Sequence, residues 1–347
     1  MKHTNRTILP YFLLATMLIL VFDSKTALAG AVSGIDICLH TVIPTLFPLM
    51  VLSILFTNFM LGKKGSILNP IGKICGIPSG AESILLTGLL GGYPLGAVAV
   101  ANAYNSGHIS HRDANRMLSF CSNCGPAFIF GMGSVLFPTK WIPWFLWLIH
   151  ILSALITGAV LPCKRSHPVK LPENETHTLS ETITMAIRSI GTICSWIILF
   201  KTILNFCQNW FLWLLPSTAQ VLICGLLELT NGFVSLLMVQ NESTRFLLAS
   251  IFLSFGGLCI SMQTASQIGK LKFRYYLFGK TIQTCITIIL TVFVLILQGY
   301  FRDNAPLYTF AAVFSCIFLS FLLYFSKKTL DFSKRNVYND FIKPIAR

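Results

Sequence analysis

The chain has 347 residues, of which 54% are hydrophobic and 11% charged. Its mean hydropathy is +0.72, and it lies far outside the soluble average of about a quarter charged residues. Lysine and arginine exceed aspartate and glutamate by 26 to 12, but the excess sits in loops and the tail. The positive-inside rule produces this distribution, and it excludes the continuous basic face of a nucleic-acid-binding protein.

Lys2 and Arg6 precede an apolar run at 8–22, and Ala27-Leu28-Ala29 follows, so a cleaved signal segment and a retained first helix both fit. The many spans downstream favour the retained helix. Residues 31–40 read as an interfacial helix, and 41–61 as a second span that ends at Lys63, Lys64 and Lys73 in the cytoplasm. Residues 79–107 are apolar but broken at Gly91-Gly92-Tyr93-Pro94, and a re-entrant hairpin there leaves Arg112 and Arg116 inside. The next span, 117–136, is broken at Ser122-Asn123-Cys124-Gly125-Pro126. The span at 141–161 returns with Trp141, Trp144 and Trp147 as an interfacial belt.

A hydrophilic linker separates this half from a second with the same order of elements. A span at 184–207 leads to a hairpin at 212–239, broken around Glu228-Leu229-Thr230-Asn231-Gly232. The span at 246–268 is broken near Gly256-Gly257, and spans at 277–298 and 307–325 follow. The predicted organisation is a first segment at 1–30, a first repeat at 31–162, a cytoplasmic linker at 163–181, a second repeat at 182–300, a last helix at 301–326 and a basic cytoplasmic tail at 327–347. The charge rule makes the two repeats inverted. The fold class is therefore an all-α polytopic membrane protein with about eight transmembrane helices and two re-entrant hairpins.

Broken helices survive at membrane depth only where protein or a cavity satisfies the freed backbone groups. Breaks at corresponding positions in two halves point to the substrate site of a secondary transporter, although a packing kink is the alternative at any one of them. The candidate substrate-binding residues are Gly92, Tyr93, Ser122, Asn123, Gly125, Glu228, Thr230, Asn231, Ser261 and Gln263. Glycines permit close backbone approach, and the half-helix after Gly125-Pro126 aims N–H groups at the break, which favours an anion. Glu228 is an ionisable group inside an apolar run. It would couple H⁺ or Na⁺, or pair with Lys201 or Arg188. Glu82 reads as a solvated residue near the interface.

Cysteines number 11 and lie mostly in apolar segments, where a thiol acts as a small hydrophobe. Cys121 and Cys124 form a C-x-x-C pair, but no second pair completes a four-ligand site, and no cofactor or metal is expected. His108, His111 and Asp113 lie in a polar island without a nucleophile, and the sequence has no P-loop. No enzymatic activity is expected.

The motifs GGYPLGA (91–97), HRDANRMLSFCSNCGPAFIFGMG (111–133), ELTNG (228–232) and SFGGLCISMQ (254–263) resemble the sporulation integral membrane protein YlbJ family, also called stage V sporulation protein VV. That family groups with nucleoside-recognition, or Gate-domain, membrane proteins, relatives of the Gate regions of concentrative nucleoside transporters and of the ferrous-iron transporter FeoB. The resemblance implies a forespore-membrane protein with cytoplasmic termini that moves dipicolinic acid, a flat aromatic dianion, during sporulation. Its partners would be this small-molecule anion and the lipid bilayer, with H⁺ or Na⁺ as a coupling ion, room for a homo-oligomer and no nucleic acid. A non-transporting Gate-fold subunit of spore formation, or a paralogue carrying a nucleoside-like or other small solute, is the alternative. The chain departs from the family pattern at Val98, where a lysine is expected, and at Ser261, where histidine is common.

Overall fold

The computed structural model describes residues 4–63, 68–163, 169 and 178–300. The chain divides into compact units Met1–Ile288 and Ile289–Arg347. Of the second, only the end of one helix up to residue 300 is described, so the span predicted at 307–325 and the tail at 327–347 lie outside the described residues. Regular structure among the described residues is helical throughout.

Helix α1 (Thr4–Phe22) precedes α2 (Ser24–Ile37), which passes through a π-helical turn at Cys38–Val42 into α3 (Ile43–Met60). After the short α4 (Asn69–Ile74) come α5 (Glu82–Gly91), α6 (Leu95–Asn105), α7 (His111–Leu118), α8 (Pro126–Leu136) and α9 (Ile142–Val160). The remaining helices are α10 (Leu179–Trp210), α11 (Ser217–Leu227), α12 (Leu229–Ser235), α13 (Glu242–Phe255), α14 (Gly257–Gln267) and α15 (Phe273–Tyr300). Among the described residues, five stretches are long and apolar enough to cross a membrane: Ser24–Met60, Ile142–Val160, Leu179–Trp210, Glu242–Gln267 and Phe273–Leu297. The expected crossing at 117–136 is not among them, because its helix is interrupted at 119–125 and α8 has only 11 residues.

The stretch at 31–40 does not form a separate interfacial helix. Ser24–Met60 is continuous over 37 residues. Gly30 and Gly34, a small-xxx-small pair, press α2 onto α10: a Cβ on either would come 2.7 Å from the Cα of Thr202 or Ile198. Asn205 Nδ2 adds a hydrogen bond to the Thr26 carbonyl at 2.7 Å.

Both apolar stretches predicted to fold back do so. A Cβ on Gly96 would lie 2.8 Å from the Cα of Gly88, and one on Gly232 would lie 2.3 Å from the Cα of Gly225. The chain therefore reverses between α5 and α6 and again between α11 and α12. Helices of 10 and 11 residues rise about 15 Å, half of a hydrocarbon core about 30 Å thick. The order of long helix, folded-back pair, broken pair and long helix runs twice along the chain, from α3 to α9 and from α10 to α15.

Glycine also sets how closely the first folded-back pair approaches the break between α7 and α8. A Cβ on Gly88 or Gly96 would fall 1.6 or 1.8 Å from the Cys121 carbonyl oxygen, so neither position accepts any side chain. Glu82 departs from its expected solvated role. It is buried, its Oε2 accepts the Gly80 N–H at 2.8 Å, and its stem packs on Gly72. Gly88→Ala is expected to destabilise the detergent-purified protein by at least about 3 kcal/mol through overpacking. Gly191→Ala, on an open face of α10, is expected to raise stability by up to about 1 kcal/mol. Thermal-shift midpoints of the two variants against the parent check the opposite signs.

Candidate functional site

The helix breaks meet in the interior of the first unit. Gly92 has φ +85° and lies against Gly125, where its Cβ would stand 3.0 Å from the Gly125 nitrogen. Gly256, at φ +81°, faces the Tyr93 ring, and Gly257, also at φ +81°, lies against the carbonyls of Gly225 and Leu226 and the nitrogen of Glu228. The breaks at 122–125, 92–94, 256–257 and 228 thus form one contiguous row. Each offers a helix C-terminus as well as an N-terminus, so the dipoles partly offset one another. Side chains decide the sign of the field.

At one end of the row that side chain is Lys280, on α15 and fully buried. Its Nζ donates to Gln283 Oε1 at 2.7 Å and to Tyr93 Oη at 3.0 Å, and it lies 4.8 Å from the Tyr93 ring centroid and 5.9 Å from that of Tyr276. No carboxylate pairs with it among the described residues, whose ion pairs are His40–Asp36 and Arg112–Asp113. Rings and neutral oxygens attract an ammonium, yet a buried cation without a counter-charge is costly. An arriving anion would gain that missing interaction.

The partners of Lys280 are tied to every neighbouring break. Tyr93 Oη donates to the Leu253 carbonyl at 3.1 Å and lies 3.3 Å from that of Ser254, at the end of α13. Gln283 Nε2 donates to Asn123 Oδ1 at 3.0 Å and stands 3.5 Å from Ser153 Oγ on α9. Asn123 Nδ2 donates to the Phe120 carbonyl at 2.7 Å, which satisfies an oxygen freed where α7 ends. The Cys124 N–H donates to His150 Nε2 at 2.9 Å, which places the imidazole hydrogen on Nδ1. His150 Nδ1 and Ser122 Oγ are buried without a hydrogen-bond partner among the described residues. They are donors in reserve, within three residues of Asn123 and Ser153, the partners of Gln283.

A second charged group occupies the other end of the row. Glu228 caps α12, with Oε1 accepting Thr230 N–H at 3.0 Å and Oε2 accepting Asn231 N–H at 2.8 Å and Asn231 Nδ2 at 2.7 Å. Lys201 Nζ on α10 donates to Asn231 Oδ1 at 2.6 Å. The pairing of Glu228 with Lys201 weighed from the sequence is therefore indirect and runs through the Asn231 amide. Ser261 bonds back to the Gly257 carbonyl at 2.9 Å and lies beside Tyr276. Gln263 turns to Cys259 of its own helix at 3.2 Å.

Of the candidate residues, Tyr93 contacts Lys280 and Asn123 reaches it through Gln283, and Gly92 and Gly125 touch at the neighbouring breaks. Glu228, Thr230 and Asn231 cluster by the Lys201 contact, and Ser261 and Gln263 bond within their own helix. Sequence reasoning missed Lys280, Gln283, His150 and Ser153. A signal was present: Lys280, Gln283, Thr284 and Thr287 follow the i, i+3, i+4, i+7 pattern of one helix face, and His150 interrupts an apolar run. Val98, where the resemblance leads to the expectation of a lysine, lines a groove with Asn58, Thr87, Asn102 and His108.

These features define a polytopic helical membrane protein whose interior is a row of helix breaks holding two buried charges. The chain is 23% identical to the sporulation integral membrane protein YlbJ of Bacillus subtilis (strain 168), over 89% of its own length and 85% of that protein. This near full-length similarity supports the YlbJ family, the one its motifs resemble. No protein-family model matches the chain. No solved structure matches it either.

Loss of the Glu228 cap is expected to cost about 1–2 kcal/mol. Lys201→Met should also destabilise, because it leaves the carboxylate without its nearest cation. In a double-mutant cycle read by thermal denaturation, the Glu228→Ala/Lys201→Met protein is expected to lose less than the sum of the single losses, by at least about 0.5 kcal/mol.

Proposed function

We propose that this protein is a secondary transporter of a small organic anion, and that its cargo is dipicolinic acid moved across a forespore membrane during sporulation. The observation that carries the reading is Lys280, a fully buried cation with no carboxylate partner among the described residues, set where helix breaks meet. Ionisable residues at membrane depth mark substrate or ion pathways, and transporter sites form at discontinuous helices near the midplane. Similarity to a sporulation integral membrane protein supports the setting.

In this reading the two runs of elements are inverted Gate-like repeats. The short pairs α5–α6 and α11–α12 are re-entrant hairpins, about eight helices cross the membrane, and both termini are cytoplasmic. The Val98 and Ser261 departures do not leave the site without cationic or imidazole groups, because Lys280 and His150 supply them from other helices. A planar dicarboxylate would place one carboxylate near Lys280 and its ring against Tyr93. The protein has no catalytic role in this scheme; the cargo leaves chemically unchanged.

The test is a deletion of the gene in its own organism, with dipicolinate measured in spores and in mother cells. Spores depleted of dipicolinate beside mother cells that accumulate it are expected, and normal spore content overturns the cargo. Complementation with Lys280→Met or Asn123→Ala is expected to leave spore dipicolinate at least about ten-fold below wild type, a loss equivalent to about 1.4 kcal/mol, while immunoblots show normal membrane accumulation. Met at 280 keeps the stem's bulk and removes a buried charge, so the fold should survive it.

A further inference from the structure

We propose that Gln283 is an internal stand-in for the substrate's carboxylate, holding Lys280 with a neutral oxygen that the substrate must displace. The inference rests on the reading of Lys280 as the substrate's cation and adds the device that keeps this cation available. The carboxamide of Gln283 has the shape of a carboxylate without its charge. Its Oε1 takes the shortest contact that Lys280 makes, 2.7 Å against 3.0 Å for Tyr93 Oη.

The choice of glutamine over glutamate follows from physical chemistry. Three residues along the same helix, a glutamate would form a permanent ion pair with Lys280 and cancel the charge that attracts an anion. The amide accepts one of the ammonium's N–H groups and leaves its charge intact. A substrate carboxylate offers a charge-assisted bond roughly twice as strong as the neutral one, so the exchange favours the substrate.

Lys280, Gln283 and Asn123 are all fully buried, so no anion reaches the lysine without moving a neighbour. Tyr93 is held by the α13 carbonyls. Gln283 belongs to the same helix as the lysine, and its other contacts are side-chain bonds to Asn123 and Ser153. Swinging it out costs those bonds, which are among the ties of α15 to the α7–α8 break and to α9. Substrate capture and loosening of the helix contacts thereby become one event. Ser122, which precedes Asn123, and His150, whose ring accepts the Cys124 N–H, hold buried donors that would receive the substrate's other acceptors. At Gly279, where a Cβ would fall 2.1 Å from the Ser119 carbonyl oxygen, α15 lies directly on this break, so a shift of one is felt by the other.

The experiment uses full-length protein in liposomes for uptake and in detergent for thermal midpoints, with dipicolinate as the probe. Gln283→Glu is expected to reduce uptake at least ten-fold and to raise the ligand-free midpoint, because the internal pair is then permanent. Gln283→Met, which removes the stand-in oxygen, is expected to lower the ligand-free midpoint and to enlarge the dipicolinate-induced shift. Wild-type uptake by Gln283→Glu, or a dipicolinate shift lost in Gln283→Met as in Lys280→Met, overturns the stand-in role. Lys280→Met separates the two levels. Inactive Lys280→Met beside active Gln283→Glu sinks only the present inference, whereas wild-type uptake by Lys280→Met sinks the reading of the site itself.

Discussion

Every helix break at membrane depth frees backbone donors and acceptors that lipid does not satisfy, and the interior of this protein is organised around meeting that demand with side chains. His150 accepts the Cys124 N–H, Asn123 serves the Phe120 carbonyl, Tyr93 serves the end of α13, and Glu228 takes two N–H groups at the start of α12. Two arginines do the same nearer the helix ends. Arg116 donates to the carbonyls of Cys75, Gly76, Gly158 and Leu161, and Arg245 to those of Val239 and Leu136. The polar residues of the interior are thus first the partners of broken backbone. A few of them keep capacity beyond that task.

The unequal capacity separates the two buried charges. Glu228 is saturated, with three N–H donors on its oxygens and Lys201 reached through Asn231. Among the described residues, Lys280 meets only neutral oxygens and two aromatic rings. Desolvation penalises both charges, but among the described residues only Glu228 has an opposite charge brought close, through Asn231. In the proposed reading, the charge left over where the breaks meet is that of Lys280, and it would favour an anion.

Glycine makes the arrangement geometrically possible. Gly88 and Gly96 admit the Cys121 carbonyl, Gly92 and Gly125 touch backbone to backbone, and Gly279 brings α15 onto Ser119. Without a hydrophobic force between helices in lipid, close packing of small residues carries much of the association. The same approach that packs the helices also draws Lys280, Tyr93 and Asn123 into hydrogen-bond range.

What the sequence by itself determined was local and compositional. Mean hydropathy and charge placement marked a membrane protein, and Gly-Tyr-Pro, Asn-Cys-Gly-Pro, Glu228 and Gly256-Gly257 marked where helices break, because these residues act on their own backbone. Fold-back at 92 and at 228 was legible for the same reason. The 31–40 stretch was misjudged: its Gly30 and Gly34 gain their role only against Thr202 and Ile198 on a distant helix. Lys280, inside the span predicted at 277–298, likewise gains its role only when α15 is set against the break at 119–125 and Tyr93 faces it. Tertiary structure alone decided that a lysine and a glutamine of α15 meet a histidine of α9 at the candidate site, because burial and the absence of a carboxylate partner among the described residues are properties of packed neighbours rather than of any one stretch of chain.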